Sequence, residues 1–202
     1  MWNKKKDGLV FVISAPSGAG KTTLMKKLLA DSGLKLKYSI SSTTREPRKG
    51  EKNGRDYFFL SKKVFLSKVK KGDFLEYANV YGHLYGTDKN VVRQIQKKGF
   101  NVLIDVDTQG ARILQKNKGF KAVYIFILPP SVQELKRRLI KRKSEGKKEL
   151  EKRLKEAKKE IKQAKRYDYC IVNENIARAV KDIKAVMRAE SLSKSRYLWR
   201  KK

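Results

Sequence analysis

A single cysteine in 202 residues leaves no internal disulfide to form, which suits a reducing compartment. It is Cys170, inside the apolar run Tyr169-Cys170-Ile171-Val172, where a buried strand thiol is expected and a nucleophile is not. Histidine is equally scarce. His83 reads as a loop residue and has no second His or Cys with which to form a metal-ligand set. The two tryptophans, Trp2 and Trp199, lie near the ends of the chain and suggest no site. Long apolar runs are missing too: Gly8 to Ile13, after the basic start, is too short for the apolar part of a secretory signal, and nothing approaches a membrane span. A cytoplasmic protein without a membrane partner is the expectation.

Acidic residues are few, 20 against 51 Lys and Arg, so the formal net charge is +31. A field of that sign draws any polyanion, nucleotide and nucleic acid alike. The lysines are spread along the whole chain, as a compositional habit would spread them, so charge by itself selects no partner and specific nucleic-acid binding is not expected. A steep salt dependence of DNA or RNA binding would reveal such a role. Hydrophobic residues at 40% can build a core, which makes the 35% charged fraction a solvated surface and not disorder. At this length one folding unit with a small inserted lobe is expected, not two independent domains.

Leu9 to Ile13 is a β-branched run, followed by a Gly-rich turn and a helical pattern from Lys21 to Ala30 with Leu24, Leu28 and Leu29 on one face. Apolar runs at Val102 to Ile104, Val123 to Leu128 and Cys170 to Val172 predict strands buried on both faces, as in parallel sheets. Helical patterns separate them, so an α/β sandwich follows. From about Leu34 to Thr87 the pattern changes to short alternating stretches such as Tyr57 to Leu60 and Phe74 to Tyr77, which predict a small mixed sheet. Pro129-Pro130 stops a strand, and Ser131 with Glu134 predicts a capping box for a helix to about Lys143, broken at Gly146. Leu150, Leu154, Ala157, Ile161 and Ala164 then form one narrow apolar stripe on a helix that is otherwise Lys, Arg and Glu. Residues 131 to 166 are more densely basic than the whole chain and read as a basic flap. Val180, Ile183, Val186 and Met187 predict a last amphipathic helix, and Arg196 to Lys202 a frayed end.

Ala15-Pro16-Ser17-Gly18-Ala19-Gly20-Lys21-Thr22 lies directly after a strand and directly before a helix, the context of a Walker A phosphate loop. Glycines let successive amide N–H groups point inward, Lys21 reaches outer phosphates, and the Thr22 hydroxyl is a Mg²⁺ ligand. The consensus first glycine is Ala15 here; the second glycine, the lysine and the hydroxyl residue are present. Asp105 ends an apolar strand where a Walker B carboxylate would hold Mg²⁺ directly or through water.

A phosphate loop says only nucleoside triphosphate. The stretch Ser41-Ser42-Thr43-Thr44-Arg45-Glu46-Pro47-Arg48-Lys49-Gly50-Glu51-Lys52-Asn53-Gly54-Arg55-Asp56-Tyr57 closely resembles the guanylate kinases. The likeness continues in order through Phe74-Leu75-Glu76-Tyr77-Ala78, Tyr85-Gly86-Thr87, Asp105-Val106-Asp107-Thr108-Gln109-Gly110 and Ile171-Val172-Asn173.

This resemblance implies an α/β P-loop three-layer sandwich with a parallel central sheet, at about 8–33, 88–130 and 167–202. It implies also an inserted mixed-sheet GMP-binding lobe at about 34–87 and a helical lid at about 131–166. The activity implied is Mg²⁺-dependent transfer of the γ-phosphoryl group of ATP to GMP, giving ADP and GDP, in purine nucleotide metabolism. ATP would be bound by residues 15 to 22 with Thr23 and Asn173. Arg45, Arg48, Tyr57 and Tyr85 would bind the GMP phosphate, and Ser41, Glu76, Thr87 and Asp107 would surround the guanine. Lys21 with lid residues Arg138, Arg142 and Arg153 would act on the transferring group. Lys141 and Lys143 flank Arg142 where the family often has glycines, which leaves the lid hinge open.

The chemistry fits independently. Paired arginines beside a rigid proline suit a phosphate dianion, and a carboxylate can accept both N1–H and N2–H of guanine, whereas adenine has no donor at N1. Taken alone, the arginines read as a charged loop, and Glu76, between Leu75 and Tyr77, as a solvent-facing strand residue. The residues do not separate GMP from dGMP. A different nucleoside monophosphate kinase is one rival; a guanylate-kinase-like module that binds a protein partner without catalysis is another. Such a module is expected to lack the loop lysine or the acceptor arginines, and this chain keeps Lys21, Arg45 and Arg48.

Overall fold

In the computed structural model, residues 2–4, 7–80, 82–141, 147–193 and 196–199 are described. After a short strand β1 (Trp2–Lys4) come β2 (Val10–Ser14), α1 (Lys21–Leu29), β3 (Leu36–Tyr38), β4 (Ser42–Thr43) and β5 (Phe58–Phe59). There follow α2 (Lys62–Lys70), β6 (Phe74–Val80), β7 (His83–Asp88), α3 (Lys89–Lys97), β8 (Asn101–Asp105) and α4 (Thr108–Lys116). The rest is β9 (Val123–Leu128), α5 (Val132–Lys141), α6 (Lys147–Ile161), β10 (Tyr169–Val172), α7 (Ile176–Leu192) and β11 (Tyr197–Trp199).

Five strands pair in the order β10-β9-β2-β8-β3, all parallel. The two faces of β2 show why the sequence folds this way. Phe11 and Ile13 point to one side, where Leu24 and Leu28 of α1 and Ile183 and Met187 of α7 cover them. Val10 and Val12 point to the other, against Val92 of α3 and Ala111 and Leu114 of α4. Each fully buried side chain of this size contributes about 1.5–3 kcal/mol relative to exposure, and three layers result because both faces of the strand are apolar.

The second sheet, in the order β5-β4-β7-β6, is mixed: β4 and β5 are parallel, and β7 is antiparallel to both neighbours. It starts at Ser42, because β3 pairs with β8 and so belongs to the core sheet, later than the break near residue 34 that the alternating pattern suggests. In the flap, Leu135, Leu139 and Ala157 form a small core of their own, with Leu150, Leu154 and Ile161 packed against it. This joins α5 to α6.

Several expectations are corrected. Cys170 is exposed, because β10 is the edge strand and shows one face to solvent. His83 starts β7, opposite Val80, and is no loop residue. Ser131 caps α5 by accepting from the Glu134 N–H at 3.0 Å, but the Glu134 carboxylate turns to Arg137 and Arg138 and does not close the box. Two guanidinium groups outbid one backbone donor. Within the end expected to fray, Tyr197 to Trp199 form β11, which pairs antiparallel with β1, Trp2 opposite Trp199; residues 200–202 lie outside the described residues. Arg142, Lys143 and Gly146 lie outside the described residues.

Candidate functional site

The chain leaves β2 at its carboxyl end and folds back through Ala15 to Gly20 into α1. Gly18 and Gly20 hold φ of 90° and 89°, a conformation that other residues enter only under strain. A side chain at Gly20 would also strike the amide of Asn173. With these turns the loop's backbone surrounds the N-terminus of α1, where amide N–H groups and the helix dipole favour an anion. Asn173 supports the loop from the core side, its Nδ2 donating to the Ala19 carbonyl at 2.7 Å. Arg138 reaches the same place, its guanidinium donating to the Asn173 carbonyl at 3.2 Å and to Glu134 at 2.8 Å.

A cavity of about 700 Å³ opens over this loop. Ala15 to Thr22 line it, together with Arg153 of α6. Thr23 and Asn173, both expected to touch ATP, are not on its wall: Thr23 is exposed on α1, and Asn173 is buried under the loop.

A second cavity, of about 360 Å³, lies between the core sheet and the mixed sheet. Seven of the eight residues expected around GMP line it: Ser41, Arg45, Arg48, Tyr57, Glu76, Tyr85 and Asp107. The eighth, Thr87, stands behind Glu76 and donates its hydroxyl to Oε1 at 2.6 Å. Lys21 and Asp107 line both cavities. Lys21 comes so close because β2 and β8 are neighbours, which sets it against Asp105 in an ion pair and near the Val106 carbonyl.

Arg45 is fixed before any ligand is considered. Its Nη2 donates to both oxygens of Glu51, at 2.9 and 3.0 Å, its Nε donates to the Tyr85 hydroxyl at 3.3 Å, and its guanidinium lies 5.5 Å from the Tyr57 ring centre. Glu51 also accepts from the Arg48 N–H at 2.7 Å. That hydrogen bond, with Arg45, holds Glu51 below the ordinary carboxylate range despite the cost of desolvation. Glu51 therefore ties Arg45 to the backbone of Arg48 in one unit.

Glu76 is buried, at 5% exposure, while Tyr77 beside it is 45% exposed. Simple alternation would have turned it outward, but β6 shifts register between Phe74 and Glu76, and the bulge turns the carboxylate inward. Desolvation is the main reason its pKa rises from 4.5 to about 7; the Thr87 hydroxyl pulls it down and Asp107 pushes it up. Asp107 caps α4, accepting from the Gly110 N–H at 2.8 Å. A Cβ at Gly110 would come 2.9 Å from Oε2 of Glu76, so any larger residue there would push the carboxylate aside. The close approach of α4 to β6 thus sets two carboxylates at one end of the cavity.

Residues that sequence reasoning missed include Tyr38, Glu51, Ala78 and Val80 in the smaller cavity and Arg112, Lys159 and Glu160 in the larger. Tyr38 ends a strand too short for any periodic signal, and burial pushes its hydroxyl pKa up. Glu160 carried a signal that was available, since it lies three residues beyond buried Ala157 and so on the inward face of α6.

Among the described residues no helix is long and apolar enough to cross a membrane. The sequence pattern of the guanylate kinase family matches residues 8–190. A guanylate kinase of Geobacter metallireducens is 45% identical over 92% of this chain and 91% of its own length, and one of Clostridioides difficile is 45% identical over 95% and 93%. The crystal structure of guanylate kinase from Anaplasma phagocytophilum superposes with a TM-score of 0.77 at 35% identity, over 97% of this chain and 93% of that one. Likeness of that degree, over nearly the whole length and in both sequence and fold, means that the chain belongs to the guanylate kinase family.

Proposed function

We propose that the two cavities are the donor and acceptor sites of one reaction, transfer of the γ-phosphoryl group of ATP to GMP to give ADP and GDP. The observation that carries this is the shared wall: Lys21 lines both cavities, at the place where a donor phosphate and an acceptor phosphate have to meet. The phosphate loop holds the ATP phosphates on its backbone amides. Arg45 and Arg48, joined through Glu51, hold the GMP phosphate with Tyr57 and Tyr85 beside them. Glu76 accepts from the guanine N1–H and N2–H, with Thr87 fixing one of its oxygens and Ser41 and Asp107 at hand.

The attacking phosphate oxygen is already anionic, so the transfer needs no strong base. Position and charge do the work. Lys21 neutralises charge on the transferring group; Arg153, on the wall of the donor cavity, and Arg138, next to the loop, are the lid's contribution, with Arg142 the third lid arginine of the same reading. A lid that closes excludes water that would otherwise hydrolyse ATP.

Mg²⁺ fits the residues present. Thr22 lines the donor cavity and Asp105, ion-paired with Lys21, the acceptor cavity, and hydroxyl and carboxylate oxygens are the hard donors that Mg²⁺ takes alongside phosphate oxygens and water. When bound, the ion neutralises phosphate charge in the transition state. A single, exposed cysteine without a partner fits a reducing compartment, and the cytoplasm is the proposed location.

The competing description is a binding module without catalysis. Incubation with ATP, Mg²⁺ and GMP, with nucleotides separated by chromatography, decides between them: one GDP should appear for each ADP. Binding of both nucleotides with no GDP formed would make the chain such a module.

A further inference from the structure

Glu51 lines a cavity proposed to hold a phosphate dianion, and by charge alone a carboxylate there opposes that ligand. Its hydrogen bonds point the other way. Oε2 accepts from the Arg48 backbone N–H at 2.7 Å, and both oxygens accept from Nη2 of Arg45, at 2.9 and 3.0 Å. The Glu51 N–H in turn donates to the Arg48 carbonyl at 3.0 Å, so carboxylate and backbone together close one turn of the loop. A carboxylate fastened to its own turn is an anchor for Arg45, not a loose counter-ion that leaves when an anion arrives.

Arg45 is held at every nitrogen. Besides Nη2 on Glu51, its Nε donates to the Tyr85 hydroxyl at 3.3 Å and its Nη1 to the Glu46 carbonyl at 2.6 Å, while the rings of Tyr57 and Phe59 lie 5.5 and 5.8 Å from the guanidinium carbon. A guanidinium has five N–H groups, so at least one, on Nη1, is left for a ligand. The Tyr85 oxygen accepts from Nε and keeps its own proton to give. A long, charged side chain held in this way has little rotamer freedom left to lose when an anion binds.

We propose that Glu51 is a positioning residue for the acceptor phosphate: it sets Arg45 and the Arg48 backbone in the phosphate-binding arrangement before GMP arrives, and this preorganisation outweighs the repulsion of its own charge. The two effects have opposite signs. If charge governs, removing the carboxylate tightens GMP; if position governs, removing it weakens GMP. The proposal rests on reading the smaller cavity as the GMP site.

The test compares the full wild-type chain with Glu51→Gln, Glu51→Asp and Glu46→Gln, each checked for folding by circular dichroism. Glu46 is exposed in the same loop and lends Arg45 only its backbone carbonyl, so Glu46→Gln removes an equal charge without removing the anchor. Glu51→Gln keeps the volume but sets an amide N–H against Nη2 of Arg45. Its kcat/KM for GMP should fall about thirtyfold, mostly through KM, with Glu51→Asp between it and wild type and Glu46→Gln within about twofold of wild type. Guanosine, which lacks the phosphate, is the second readout: its inhibition constant against GMP should stay within about twofold in Glu51→Gln, as should Mg·ATP affinity by calorimetry. GMP binding that is unchanged or tighter in Glu51→Gln overturns the proposal in favour of plain repulsion. An equal loss for guanosine and GMP overturns it in favour of a general structural role. A wild-type chain that binds no GMP overturns the reading of the cavity itself.

Discussion

The proposed donor and acceptor cavities share Lys21, Val80 and Asp107 but are made of different material. The donor side is mostly backbone: eight successive residues, Ala15 to Thr22, two of them glycines with positive φ, wrapped around one helix end. The acceptor side is mostly side chains, brought from β3, β6, β7 and the loops after β3, β4 and β8, and locked by Glu51 and Thr87. A backbone-built site grips any polyphosphate and tolerates changes that keep its path. A side-chain-built site reads one base and depends on each carboxylate.

If that contrast is right, Lys21, the one cation on both walls among the described residues, should matter most. Lys21→Met should fold normally and lose about a thousandfold in kcat, because one charge at the transferring group is missing in the transition state. Steady-state kinetics on the folded variant measures it, and retained turnover would remove Lys21 from the centre of the reaction. Next comes Glu76→Gln, which sets a donor against guanine donors. Its expected cost is about 2–3 kcal/mol, or about thirty- to hundred-and-fiftyfold in kcat/KM for GMP, with ATP affinity unchanged by calorimetry. A change within about threefold would return Glu76 to the role of an ordinary strand residue.

The pH dependence is gentler. The folded-state pKa of Glu76, about 7, is above its ordinary 4.5, so the folded chain without GMP binds more protons than the unfolded chain between those values, and this group's contribution to stability falls as pH rises from about 4.5 to about 7. Guanine needs the ionised form as acceptor. Between pH 6 and 8 the GMP affinity of wild type, divided by that of Glu76→Gln to cancel titration of the GMP phosphate, should rise about tenfold. A flat ratio would mean that the carboxylate does not meet the base. The smallest effect is predicted on the backbone side: Ala15→Gly restores the loop's consensus and should leave kcat and the KM for ATP within about twofold. A larger change would show that the donor site depends on this side chain as the acceptor site depends on its own.

The same contrast explains what could be read in the sequence. The phosphate loop is contiguous, flanked by a strand and a helix that apolar patterning identifies, so Lys21 and Thr22 were legible from spacing alone. That Ser41, Arg45, Arg48, Tyr57, Glu76, Tyr85 and Asp107 share one cavity was legible only through resemblance to a family, because nothing local connects Ser41 to Asp107, and the one periodic cue, alternation around Glu76, pointed outward. The bulge between Phe74 and Glu76 reversed it. Glu51 was not found because Arg45 and Glu51 are six apart in an irregular loop, where no period pairs them. Edge position, which exposes Cys170, and the pairing of Trp2 with Trp199 are set by contacts between distant segments and leave no local mark.

The central claim, that a backbone-built donor site serves an acceptor site that reads guanine, is tested most directly by a coupled assay at fixed Mg·ATP with GMP, AMP, UMP and dTMP offered in turn. With two carboxylates at one end of the acceptor cavity, kcat/KM for GMP should exceed that for each of the others by about a hundredfold or more, because only guanine among these bases offers both N1–H and N2–H. Comparable turnover with AMP would contradict it.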